Sequence, residues 1–484
     1  RWLVPHFEKM LYDNGFLLEI YALEYARSGD PEAARVARET ATWLAREMTG
    51  EDGELWSAID AETAGQEGAF YVWTRDQLED VLGPDGARRL APIYGFDSLP
   101  FFEGDHYVLH LPEPVAELAA DAGTDARGLW REVEPLRAEL LAARAERPRP
   151  LTDDKVLADW NGVAIRGLAV AGRVLEDPAM IGQAVRAADS VLEKLRPAGA
   201  PLLHAWRRGE AKIPAYLADY AFLVRGLLAL EDATGDERWR RVAVELADEQ
   251  VRRLRDPRGG FFVAAQDPEL LLRSKDPVDG ALPSANAVAV LNFLDLAERT
   301  GEERWRKEAA ASLRAFGGLL ESAPEALRMM AVAARRYDAP AGRADRGGLP
   351  GTLEAEALAV VEPSLEMAAA AGEDTGGWRA FRLRLVIADG WHVNAHPASA
   401  DFLVATAVSA AGGAVRDVVY PAGEILETSF APDPVAVYRG RVEITGELSS
   451  EAAGLELTFQ ACDDHRCLPP VHTRVTASPA AGDR

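Results

Sequence analysis

Cysteine is almost absent: the 484 residues contain two, Cys462 and Cys467, close together near the end. A dense disulfide framework is therefore excluded, and so is a multi-cysteine zinc scaffold. Basic residues are also scarce relative to acidic ones, 53 against 78, for a net charge of −25. Phosphate recognition needs clustered Lys and Arg, so nucleic acid and anionic membrane surfaces are excluded as partners. No uninterrupted apolar run is long enough to span a bilayer. An initiating Met is missing too. The chain starts at Arg1 with residues that read like a domain interior, which suggests a fragment or processed chain with more sequence upstream.

What is present is a repeat. Asn14 precedes Asp30 by sixteen residues, Asn161 precedes Asp177, Tyr220 precedes Asp236 and Asn286 precedes Glu302 at the same offset. Two of the units share Gly-Asp/Glu-Glu-Arg-Trp-Arg, with Trp239 and Trp305 in register. Each unit reads as a helix apolar nearly all round, a turn, and an amphipathic helix with one wet face. Recurring two-helix units that stack imply an all-α toroid of α/α hairpins over residues 1–338. The gap between the first two units leaves room for one extra, degenerate hairpin around Asp76 to Tyr94.

Inner helices of a toroid run the same way, so their polar leading ends should meet at one mouth. That places His6, Glu8, Lys9, Tyr12, Asp13 and Asn14 with Asp153, Asp154, Lys155, Trp160 and Asn161, and with Asp219, Tyr220, Ser284 and Asn286. Phe70 and Trp73, in a Gly-aromatic stretch, are expected to wall this pocket, as is the loop Gly259–Phe262. The densest part is Thr152–Gly162, where three carboxylates, an ammonium, an indole and an amide crowd one helix entry. A plain helix start needs a single capping side chain. Carboxylates beside Asn and Trp suit polyol hydroxyls and a stacked sugar ring. Glu8, Asp153, Asp154 and Asp219 are the acid/base candidates. His6 is the imidazole expected at the rim, and the place of His204 is left open.

Residues 339–377 read as a linker with a last helix in the Ala/Glu-rich segment 352–371. From 378 to 484 the pattern alternates with period two, as in an all-β sandwich. Cys462 and Cys467 lie on one short loop there, with His465 and Arg466 between them to favour a thiolate. A redox pair, a structural disulfide and inert thiols all remain open at this point. Cys462, His465, Cys467 and His472 match no common zinc spacing, so neither metal nor cofactor is expected.

Two resemblances sharpen this. Trp2–Asn14, Glu67–Thr74, Phe102–Gly104, Asp153–Leu157 with Trp160–Gly162, and Asp219–Ala221 resemble the YyaL-like, spermatogenesis-associated thioredoxin-domain proteins. The resemblance implies a six-hairpin (α/α)6 toroid, glycosidase-like or N-acylglucosamine 2-epimerase-like, preceded by a thioredoxin-like domain upstream of Arg1. Gly390–Asn394, Phe402–Thr406, Tyr420-Pro421, Val437–Gly440, Gln460–Cys462 and Cys467–Pro470 resemble the N-terminal domain of the thiol:disulfide interchange protein DsbD. That implies an immunoglobulin-like sandwich, a redox-active Cys462/Cys467 pair, a thioredoxin-like partner protein and a setting outside the cytoplasm. The reading of function is thiol–disulfide exchange, with a toroid carrying a polar, sugar-type pocket. The alternatives are a sugar epimerase or glycosidase, or a scaffold.

Overall fold

The computed structural model describes residues 4–197, 199–268, 270–338, 358, 360–367, 377–399, 403–410, 412–426, 434–450, 452, 454–463, 467–468 and 470–475. The described residues divide into a helical unit up to residue 338 and a β unit from residue 361 onward.

The helical unit contains α1 (Leu11–Ser28), α2 (Pro31–Glu47), α3 (Arg75–Tyr94), α4 (Val115–Asp121), α5 (Ala126–Ala145), α6 (Ala158–Val174), α7 (Pro178–Leu195), α8 (Leu217–Thr234), α9 (Arg238–Leu254), α10 (Ala285–Thr300), α11 (Glu303–Ser322) and α12 (Arg328–Asp338). The repeat signals are helix boundaries. Asp30 and Asp177 cap α2 and α7 by accepting N–H bonds in the first turn, each followed by Pro. Gly235 and Gly301 close α8 and α10 in the left-handed conformation, at φ +70° and +72°. Trp239 and Trp305, which open the following outer helices, are fully buried against the inner layer.

The pairs α1/α2, α6/α7, α8/α9 and α10/α11 are helical hairpins of an α/α toroid, and α12 follows as a further inner helix. Partly buried ion pairs link neighbouring helices of the inner layer. Glu19 of α1 holds Arg166 of α6 at 2.6 Å, Arg225 of α8 holds Asp295 of α10, and Asp295 also holds Arg336 of α12. Inner helices approach closely where glycine allows it. A Cβ on Gly162 would lie 2.4 Å from the Phe222 carbonyl carbon, and one on Gly226 would lie 2.6 Å from the Gly162 oxygen.

The extra hairpin does not stand between α1 and α6. A Cβ on Gly15 would lie 2.9 Å from Ala164, so these two helices are direct neighbours. Helices α3–α5 instead form their own core around Trp73, Leu78, Leu90, Phe96 and Leu129. They lie along the outer helix α2, where Trp130 Nε1 donates to Glu32 at 2.8 Å and Arg137 pairs with Glu39 at 2.9 Å.

The β unit is a set of short antiparallel sheets, as an immunoglobulin-like sandwich requires. One runs 361–367, 378–387, 441–449, 415–419; a second 424–426, 435–438, 392–394, 461–462; a third 407–410, 455–459, 471–475. Inward residues such as Leu383, Leu385, Ile444, Leu457 and Phe459 share one core. The linker at 339–357 lies outside the described residues. The helix expected over 352–371 is corrected over 361–367: Val361–Met367 is a strand paired antiparallel with Phe381–Ile387. Pro363 opposes a helix there, and an edge strand tolerates it.

Candidate functional site

Short strands deliver the rim residues. Lys9–Met10 pairs with Ala58–Ile59, which pairs with Thr152–Asp153, so the chain before α1 lies beside the chain before α6. Val156–Leu157 pairs with Trp206 and Ala205 of the strand Leu203–Arg207, which sets His204 beside the start of α6.

Three side chains from three elements converge there. Asp219, in the first turn of α8, is fully buried; its carboxylate accepts the Tyr216 N–H at 2.7 Å and the Asp159 N–H at 3.2 Å. His204 Nδ1 donates to the same carboxylate, at 2.9 and 3.1 Å from its two oxygens. Asp159, in the first turn of α6, accepts the Trp160 N–H at 2.8 Å. Burial, reinforced by the charge of Asp219 and partly offset by His204, pushes the Asp159 carboxyl up to about 7. Burial works against the His204 imidazolium, but the hydrogen bond and charge of Asp219 outweigh it and raise its pKa. The trio is an acid–base and ligand-donor set in one place.

Beside it, the His204 ring meets Tyr216 edge-on at 5.1 Å. Tyr216 lines a cavity of about 370 Å³ together with Ala218, Phe222, Leu282, Ser284 and Ala285. Tyr12 and Trp160 meet edge-on at 4.7 Å and belong to the same apolar cluster as Phe222 and Val288. A larger hollow of about 530 Å³, lined by Arg196, Glu245 and Arg253 among others, is built from the ends of outer helices α7 and α9. There Glu249 serves the fold, as described next.

The remaining sequence candidates divide by task. Asn161 and Asn286 are fully buried, and their amides are spent on backbone. Asn161 accepts the Leu55 N–H at 3.2 Å and donates to the Leu55 carbonyl at 2.9 Å. Asn286 does the same for Phe261, at 2.9 and 3.1 Å. Leu55 and Phe261 occupy matching places in the hairpin turns after α2 and α9, in the bridges Thr49↔Leu55 and Arg255↔Phe261. Tyr220 acts one step removed: its hydroxyl bonds Glu249 at 2.6 Å, and Glu249 accepts the Leu202 N–H after α7 at 3.1 Å. These three positions staple outer-turn loops to inner helices instead of facing a ligand. Among the described residues, Asn14 makes a local bond to the Met10 carbonyl.

Ser284 is buried and donates to the Asp276 carbonyl at 3.0 Å. Asp153 is paired with Lys155 at 3.0 Å. Asp154 is held by Arg207 and Arg208, which outweigh burial and lower its pKa. His6, Glu8 and Asp13 are exposed. Phe70 and Trp73 are buried and turned to the insertion: Trp73 belongs to its core, Arg147 stacks on Trp73 at 3.8 Å, and Arg144 lies over Phe70. Lys9 lies 3.2 Å above the Tyr71 ring centroid and donates to the Phe7 carbonyl. Burial, with Arg144 nearby, lowers its ammonium pKa to about 7. Phe261 is fully buried, so it packs the core rather than walling a pocket. Asp159 was absent from the sequence candidates, and His204 was not placed among them. A strand pairing unites the two, and no local periodicity announces it.

In the β unit Cys462 and Cys467 form a disulfide, Cα to Cα 4.0 Å. Cys462 is fully buried on a short strand opposite His392, while Cys467 is half-buried. His465 and Arg466 lie outside the described residues.

Residues 360–479 match the family described as thiol:disulfide interchange protein DsbD, N-terminal. The chain is 33% identical over 366 residues, 68% of its length, to spermatogenesis-associated protein 20 of Mus musculus, and 32% identical over 367 residues to that of Homo sapiens. It spans about half the length of the curated relatives it matches, 46% of the mouse protein. Among solved structures, the reduced N-terminal domain of Neisseria meningitidis DsbD is similar at 22% identity, covering 25% of this chain and 87% of that one, with a TM-score of 0.19. Both resemblances read from the motifs are thus present as sequence similarity.

Proposed function

We propose that this protein exchanges thiols and disulfides with a thioredoxin-like partner through Cys462 and Cys467, in a setting outside the cytoplasm. The observation that carries this reading is the bond between the chain's two cysteines inside the segment similar to DsbD. In the exchange, a partner thiolate attacks Sγ of Cys467, the less buried of the two cysteines, and the Cys462 thiolate leaves. The partner's second thiolate then attacks the partner sulfur of the mixed disulfide and releases the Cys467 thiolate. The partner departs oxidised and the pair reduced, with two electrons moved; the reverse sequence returns them.

A redox titration of the full chain against thioredoxin tests this. An exchanging pair equilibrates at about −120 to −270 mV, whereas a structural bridge lies below about −300 mV. Cys462→Ser should leave a Cys467 thiol that traps a mixed disulfide. A pair that thioredoxin fails to reduce ends this reading.

A second reading is supported by the cavity beside Tyr216 and the Tyr12–Trp160–Phe222 wall: the toroid binds a small polar ligand of sugar type, with Asp219 and its neighbours as acid/base groups. Thermal-shift screening with mono- and oligosaccharides tests it, and no stabilisation by any of them removes it.

A further inference from the structure

We propose that Asp159, His204 and Asp219 form a binding site for one borderline divalent cation of the zinc or manganese type. One donor atom from each residue lies within 4.8 Å of the other two. The donors come from three separately positioned elements, the first turns of α6 and α8 and the strand Leu203–Arg207. One imidazole nitrogen with two carboxylate oxygens is a donor set such ions accept, and it excludes a soft, thiolate-seeking ion.

Two further observations point to an ion. Asp219 is held by the Tyr216 and Asp159 N–H groups and by His204 Nδ1, so its oxygens are fixed in place, and an ion bound by the trio takes the place of the shared Nδ1 proton. Asp159 is only 9% exposed, yet it has no salt bridge among the described residues and accepts a hydrogen bond on Oδ1 alone. A carboxylate buried to this extent, without a salt bridge and set beside a second carboxylate, is costly. Two carboxylates and a neutral imidazole balance a 2+ ion, while one imidazolium leaves a net negative charge. Three protein donors also leave coordination positions for water or for hydroxyls of a ligand in the neighbouring cavity, the arrangement of an open metal site. This site stands independently of the cysteine pair.

The test uses the full oxidised chain, in which both sulfurs are tied up, after chelator treatment and dialysis. Zn²⁺ and Mn²⁺ are titrated separately by calorimetry, against His204→Gln, Asp159→Asn and the control Asp85→Asn, an exposed residue of α3. One ion per chain is expected, weakened at least 100-fold in the first two variants and unchanged in the control. X-ray absorption of the wild-type zinc form should show one imidazole in the first shell, a readout that does not depend on any variant folding. No stoichiometric binding by wild type means that the trio is a protonated ion pair, and overturns the proposal. Binding undiminished in both His204→Gln and Asp159→Asn, or a zinc shell without imidazole, overturns it as well.

Discussion

Replacing Asn161 by Ala should destabilise the toroid by about 4 kcal/mol. The Leu55 N–H and C=O are buried, and Asn161 is the partner of both. Losing the amide strands two polar groups, each costing about 1–3 kcal/mol when left unpaired. The bond to the Leu157 carbonyl at 3.0 Å goes too, but it starts from the helix itself and adds little. Asn286→Ala removes the same pair of bonds to Phe261 and should cost as much. Asn14→Ala, which gives up one local bond from a half-buried site, should cost no more than about 1 kcal/mol. Urea unfolding of the full chain, followed by near-ultraviolet circular dichroism, reads all three. The staple variants should also melt on the order of 5–10 °C lower. If Asn161→Ala and Asn286→Ala each cost under about 1 kcal/mol, these residues do not staple the loops, and a place in a ligand pocket returns as their explanation.

Asp295→Asn leaves the Arg225 and Arg336 guanidinium groups without their shared carboxylate in the inner layer, and should cost about 3–5 kcal/mol by the same unfolding assay. Gly162→Ala forces α8 away from α6 and should cost about 3 kcal/mol, whereas Gly317→Ala, with open space in α11, should stabilise by about 0.5–1 kcal/mol. Lys9 binds its proton more weakly folded (pKa about 7) than unfolded (the ordinary 10.5), so the unfolded state holds more protons between those values and stability should rise with pH across that window. Lys9→Met should flatten that rise. In the wild type, limited acylation at pH 7.5 followed by peptide mapping should label Lys9 ahead of the other lysines, and uniform labelling would contradict the depressed pKa.

The hairpins were legible because their signals are local. Asp30 and Asp177 cap helices two residues away, and Gly235 and Gly301 end them in place. The meaning of the recurring Asn was not legible, because the partner of Asn161 lies 106 residues upstream in the chain. A polar residue opening a buried helix looks the same in sequence whether it serves a ligand or a loop. His204 shows the converse. It is 15 residues from Asp219, yet only the pairing of its strand with Val156–Leu157 brings it to Asp159. Pro363 and the Val361/Leu365 spacing were visible, but the surrounding Ala and Glu outweighed them in the helical reading.

The crowded helix entry at 152–162 resolves on the same terms. Asp153 pairs with Lys155, Asp154 answers Arg207 and Arg208, Trp160 meets Tyr12, and Asn161 holds Leu55. Once those tasks are assigned, one carboxylate of the stretch, Asp159, is left buried without a cationic side chain of its own, and it faces His204 and Asp219. The surplus of polar groups that marks this stretch in sequence is mostly the work of joining neighbouring repeats. The chemistry is concentrated in the single residue whose neighbours come from elsewhere in the chain.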